Sequence, residues 1–175
     1  MALTRNLIPS QIPTFTSPYD AQLAFCSAQV VTATGFLNNL NSGLLDLGGA
    51  SPSSGAGRTD GMWNFDITAA NFGTVDESYT FRLLGSNDVA FGNGNVELLA
   101  LHDIAATAAL RNLTNLLGAT PTIPPTGMAG SIFQRPFTNL SQGIIYRWVK
   151  CHMVAVGTGP SVTITSWISR ADIEV

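Results

Sequence analysis

The densest group of reactive side chains in this sequence is Lys150-Cys151-His152, which joins the chain's only lysine to one of its two cysteines and one of its two histidines. A cysteine next to a histidine is raw material for a thiolate–imidazole nucleophile, and a neighbouring ammonium would favour the thiolate. That chemistry needs the sulfur and a ring nitrogen within hydrogen-bond reach. Residues 144–156 read as a strand, and successive side chains of a strand point to opposite faces. Cys151 then shares a face with Val149, Met153 and Ala155, while Tyr146, Trp148, Lys150, His152 and Val154 share the other. The companions of the cysteine are all apolar, so it reads as core and not as catalyst.

The remaining candidates are weaker. Asp60, Asp66, Asp76 and Glu77 could supply a hydrolase pair or a calcium loop, but EF-hand spacing is absent and they read as acids of solvated turns. His102-Asp103 is too isolated to be a metal ligand set. "GNGNVE" (92–97) lacks the third glycine of a dinucleotide loop, and "GAGRTD" (55–60) lacks the Gly-Lys-Ser/Thr of a phosphate loop. The sequence therefore leads to the expectation of no catalytic residue, no cofactor and no metal.

The elements that carry these residues are strands. "MWNFDIT" alternates, with Trp63, Phe65 and Ile67 on one face and Asn64 and Asp66 on the other. "ESYTFRLLGS" repeats the pattern: Tyr79, Phe81 and Leu83 lie opposite Thr80 and Arg82. "AQLAFCSAQVVTATGFL" supplies one long strand or two short ones, "NDVAFGNGN" is a turn cluster, and "VELLALHDIA" is the next strand. Residues 102–118 fit a short amphipathic helix as well as a strand. "SIFQRPF" leads to a closing hairpin in which "GTGP" turns and "SVTITSWI" returns, with Gly157 and Gly159 supplying unusual backbone angles. Val162, Ile164, Ser166 and Ile168 fall on one face of that last strand; Thr163, Thr165 and Trp167 fall on the other.

Composition agrees. Only 11% of the 175 residues are charged, against roughly 25% in ordinary soluble domains. Lysine and glutamate together occur four times, which argues against a helical surface, while 17 glycines and nine prolines suit short strands and turns. The expected fold is an all-β sandwich or jelly roll of about eight strands, spanning residues 19–175 as one domain. Residues 1–18, with prolines at 9, 13 and 18, form an extended N-terminal arm that docks on a neighbour or packs on its own domain. The Gly/Ser/Pro run "GGASPSSGAGRTDG" and the run "ATPTIPPTGMAG" are two long loops. Cys26 and Cys151 read as buried thiols.

A net charge of −3 with scattered basic residues leaves no footprint for nucleic acid. No window holds the ~20 apolar residues of a membrane helix, and Pro9 and Pro13 interrupt any signal-peptide core. A chain this apolar and this sparsely charged is expected to bury surface against partners.

Three stretches carry a family resemblance. "DAQLAFCSAQVVTATGFLNN" (20–39) with "LLDLGG" (44–49), "YTFRLLGSNDVAFGNGNVELLA" (79–100) and "YRWVKCHMVAVGTGPSVTITSWI" (146–168) resemble the small jelly-roll cement, or decoration, proteins of tailed bacteriophages, Bordetella-phage type. Residues 1–18 and 119–130 are longer than that family's usual form. The resemblance implies a virion structural protein on the outer capsid surface. There it would bind the major capsid protein and clamp neighbouring subunits, as a homotrimer, without touching the DNA. On that reading the interface candidates are Leu3, Arg5, Leu7, Ile8, Ile12 and Phe15 of the arm, with Tyr146, Trp148 and His152. The alternatives are a tail- or fibre-associated binding module using Trp63, Trp148 or Trp167, and a small carboxylate hydrolase.

Overall fold

The computed structural model describes residues 21–48, 57–71, 76–92, 96–105 and 131–170. The expected arm, most of the Gly/Ser/Pro loop and the proline-rich run after residue 118 lie outside the described residues. Where the sequence left helix and strand open over 102–118, residues 102–105 are strand and the rest lie outside.

The strands are β1 (Ala24–Val31), β2 (Gly35–Phe36), β3 (Leu44–Asp46), β4 (Asp60–Ala70), β5 (Ser78–Ser86), β6 (Val96–Ala105), β7 (Ser131–Thr138), β8 (Leu140–Ser141), β9 (Ile144–Ile145), β10 (Trp148–Val156) and β11 (Val162–Arg170). The first sheet has the order β1-β11-β4-β7, and the second β2-β10-β5-β6 with β3 also on β10. All of these pairings are antiparallel. The short pieces β2 and β3 both pair with β10 and act as one broken strand, and β8 and β9 pair only with each other. Among the described residues eight strand positions remain, four per sheet. Of the connections between them, only β5 to β6 stays within a sheet, and every other one crosses the sandwich. This is the winding of a jelly roll.

That winding corrects the expected closing hairpin. β10 pairs with β5, β2 and β3, whereas β11 inserts between β1 and β4, so the two strands belong to opposite sheets. Residues 157–161 bridge the sandwich instead of turning a hairpin. Gly157 has φ +124°, and a Cβ there would stand 2.8 Å from the Glu77 Cα. Gly159 is outside the left-handed region, and a Cβ there would meet nothing closer than the Asn71 side chain at 3.7 Å. Only the first of the two glycines is required.

The alternation expected for the long strands holds. Trp63, Phe65 and Ile67 of β4, Tyr79, Phe81 and Leu83 of β5, Val149, Cys151 and Met153 of β10, and Val162, Ile164 and Ile168 of β11 are all buried between the sheets. Each such aliphatic or aromatic side chain contributes about 1.5–3 kcal/mol by leaving water. Phe65 is a hub, with ring centroids of Trp63, Phe81, His102 and Phe133 at 5.0, 5.5, 4.9 and 5.4 Å. Ser166, the one polar member of its inward set, accepts the Trp63 indole N–H at 2.9 Å and donates to the Asn64 carbonyl at 3.2 Å.

The face of the first sheet away from the core differs from expectation at two positions. Asn64 and Trp167 are buried there, and the Asn64 amide donates to Ser169 Oγ at 2.9 Å and accepts from Gln134 Nε2 at 3.0 Å. The free edges of this sheet are blunted. Pro136 sits on edge strand β7, where a missing N–H costs no ladder bond. β1 is broken by register shifts around Ala28, which has φ 46°. The side chain of Asn39 stands in for a neighbouring strand by bonding both the N–H and the carbonyl of Ser27 at 2.8 Å.

Candidate functional site

Strand alternation takes the Lys150-Cys151-His152 group apart. Cys151 is fully buried in the core, with Cys26 reaching the same core from the opposite sheet, and both are free thiols. Burial pushes the Cys26 thiol up to about 12, only partly opposed by a backbone hydrogen bond at Ser166. Cys151 is raised well above the ordinary thiol range, first by burial and then by repulsion from Cys26. A thiolate is thus disfavoured at both positions. Lys150 and His152 leave on the other face, where the His152 ring meets Phe36 edge-on at 4.9 Å.

The described acids are dispersed. Asp60 pairs with Arg58, Asp76 accepts from the Thr158 hydroxyl at 2.9 Å, Asp66 lies midway along β4, and Glu77 is fully buried. His102 is buried against Phe65 and Phe133, and its Nδ1 accepts from Arg135 Nε at 3.1 Å. Among the described residues no three of His, Cys, Asp and Glu converge as a metal site, and no helix is long and apolar enough to cross a membrane. Of the tryptophans that a tail- or fibre-associated binding module would use, Trp63 and Trp167 are buried. Trp148 is half-buried, with the Arg147 guanidinium 4.5 Å from its ring centroid.

What the structure does assemble is the outer face of the second sheet. Register places Phe36, His152, Arg82 and Leu101 in one row across β2, β10, β5 and β6. Leu44, Lys150, Leu84 and Leu98 form the next row, and Asp46, Trp148, Ser86 and Val96 the third. Phe36, Val96, Leu98 and Leu101 are 40%, 40%, 48% and 43% exposed. β6 presents Leu98 and Leu101 on the same side because of a bulge. Leu83 pairs with Ala100 but Leu84 with Leu98, so Leu99 is an extra residue that resets the alternation.

The turn after β5 completes this face. Asp88 accepts the N–H groups of Ala90 and Gly92, each at 2.9 Å, and these two bonds hold its carboxyl below the usual carboxylate range. The tight turn leaves Phe91 at φ 52°, an uncommon conformation for a bulky side chain. Lys150 Nζ consequently lies between two rings, 4.7 Å from the Phe91 centroid and 5.1 Å from that of Phe36. Asn87 staples the same turn to the chain entering β10, donating to the Ile145 carbonyl at 2.8 Å and accepting the Arg147 N–H at 2.9 Å. Arg147 in turn makes a two-pronged pair with Asp46, at 2.8 and 2.6 Å.

Of the predicted interface residues, Trp148 and His152 lie on this face, half-buried. Tyr146 does not share it. β10 begins at Trp148, and Tyr146 Cβ lies 3.0 Å from where a Cβ on Gly85 would stand, on the inward side of β5. Residues 146–147, between β9 and β10, are not strand, and alternation does not carry through that break. Leu3, Arg5, Leu7, Ile8, Ile12 and Phe15 lie outside the described residues. Sequence reading missed Phe36, Arg82, Phe91, Leu98 and Leu101. The run "SNDVAF" was the available signal for Phe91, since an aspartate followed by Val-Ala-Phe and Gly suits a carboxylate-capped turn. Comparison with protein-family models, with curated proteins and with solved structures finds no match to this chain.

Proposed function

We propose that this chain is a virion structural protein that binds the outside of an icosahedral phage capsid and stabilises it by clamping neighbouring major-capsid subunits, assembling as trimers. The observation that supports this most is the outer face of the second sheet, which exposes Phe36 at one edge and Val96, Leu98 and Leu101 along the other on a jelly-roll sandwich. Exposed apolar surface of this kind marks association. The low charge content, 11% of residues, suits a protein that spends its working life against partners. On a repeating lattice many modest contacts add up, so a small sandwich can raise the cost of subunit separation without strong individual bonds. The DNA inside the shell is not a partner on this reading.

The test is binding of the purified chain to expanded and unexpanded shells of the particle that encodes it, measured as occupancy after sedimentation. Saturable binding to expanded shells is expected, and binding to neither form would end the proposal. Deleting residues 1–18 lowers occupancy if the arm docks on neighbours and leaves it unchanged if the arm packs at home.

A further inference from the structure

We infer that the outer face of the second sheet is what seats on the shell, and that its counterpart is an apolar protein surface bearing carboxylates. This rests on the function proposed above and goes further in naming the face and the chemistry of its occupant.

Charge selects the occupant. Arg82 and Lys150 stand among the exposed apolar side chains, and neither makes an ion pair among the described residues. Arg147, at the margin, is already neutralised by Asp46. Asp46 of the third row is taken up by Arg147, and Asp88 of the adjoining turn by the N–H groups of Ala90 and Gly92. Arg82 and Lys150 thus face one further acid in these rows, Asp103 opposite Thr80, although the whole chain carries a net charge of −3. A partner that covers the leucines must therefore offer anionic groups to Arg82 and Lys150, or leave two cations desolvated and unpaired.

A second copy docked face to face meets this poorly. Two-fold contact offers the patch only its own acids, and Asp46 is already engaged by Arg147 and Asp88 by the backbone of its own turn. A nucleic-acid backbone fits no better, because two cations among leucines provide no track for successive phosphates. Preorganisation adds to the case. Lysine ordinarily loses much rotamer freedom on binding, but Lys150 is already held between Phe36 and Phe91, so its ammonium is in place before contact.

The experiment compares wild type with Arg82→Glu, Leu101→Asp and, as a remote control, Arg58→Glu in sedimentation with expanded shells. All three positions are exposed, and thermal melts by circular dichroism check that the variants fold. Loss of affinity by at least about tenfold for the first two variants, with the control unchanged, is the expected result. Wild-type binding with unchanged binding of both variants overturns this inference while the proposed function stands. No wild-type binding removes the proposed function and this inference with it. If the two variants instead abolish self-association in sedimentation velocity and spare shell binding, the face is a copy–copy contact and the inference is wrong.

Discussion

The Tyr79 hydroxyl accepts the backbone N–H of Ser161 at 2.9 Å and lies 2.7 Å from the Asn71 carbonyl that it donates to. One side chain on the second sheet thereby holds both the end of β4 and the approach to β11 on the first. Replacing Tyr79 with Phe keeps the ring in the core but removes the acceptor from a partly buried N–H. The expected loss is about 1–3 kcal/mol, read as a lower urea midpoint at unchanged slope.

Two glycines of one crossing should respond in opposite directions. Gly157→Ala forces a side chain into a left-handed backbone and against Glu77, and is expected to destabilise by more than about 1 kcal/mol. Gly159→Ala meets ordinary contact distance and should be neutral or stabilising by up to about 1 kcal/mol. Paired urea titrations decide it; equal losses in both would show that the assignment is mistaken.

The two thiols should be silent in the folded protein. With Cys26 raised to about 12 and Cys151 well above its ordinary value, neither offers thiolate to reagent at pH 8. Ellman's reagent is expected to release no colour from native protein and to report two thiols once denaturant opens the core. Rapid native labelling of either cysteine would contradict the burial.

His152 sets a pH dependence. Desolvation, followed by repulsion from Arg82, lowers its pKa below the ordinary 6.5, so the unfolded chain takes up the proton first as pH falls. Its contribution to stability is whole above about pH 6.5 and fades as pH drops towards the lowered folded value. Urea midpoints measured from pH 8 down to 5 should therefore fall less steeply in His152→Asn than in wild type.

Much of this was legible because the long strands obey a two-residue period. Trp63, Phe65 and Ile67, or Val149, Cys151 and Met153, declare their face within a single strand. What stayed hidden belongs to relations between strands. The apparent closing hairpin of β10 and β11 has the right turn residues, yet the strands join different sheets because β11 fills the gap between β1 and β4. Leu98 and Leu101 share a face only through the bulge at Leu99, which depends on the partner's register. Asn64 and Trp167 look solvent-facing by alternation and are buried on the outer side of their sheet. The aromatic clasp around Lys150 draws on Phe36, Phe91 and a strand over 50 residues away from either, a juxtaposition that no local pattern encodes.

The place of β11 also governs when this molecule can fold. It is the last strand of the sandwich to be synthesised, yet it occupies an interior position in the first sheet, bonded to β1 on one side and β4 on the other. Until it emerges, β1 and β4 have no common neighbour, and the inward rows of both remain exposed. Closure must wait for contacts between distant parts of the chain, the regime in which folding is slow and open strand edges invite association. The nascent sandwich is thus most vulnerable just before β11 emerges, and truncation within residues 162–170 should yield aggregate and not a smaller domain.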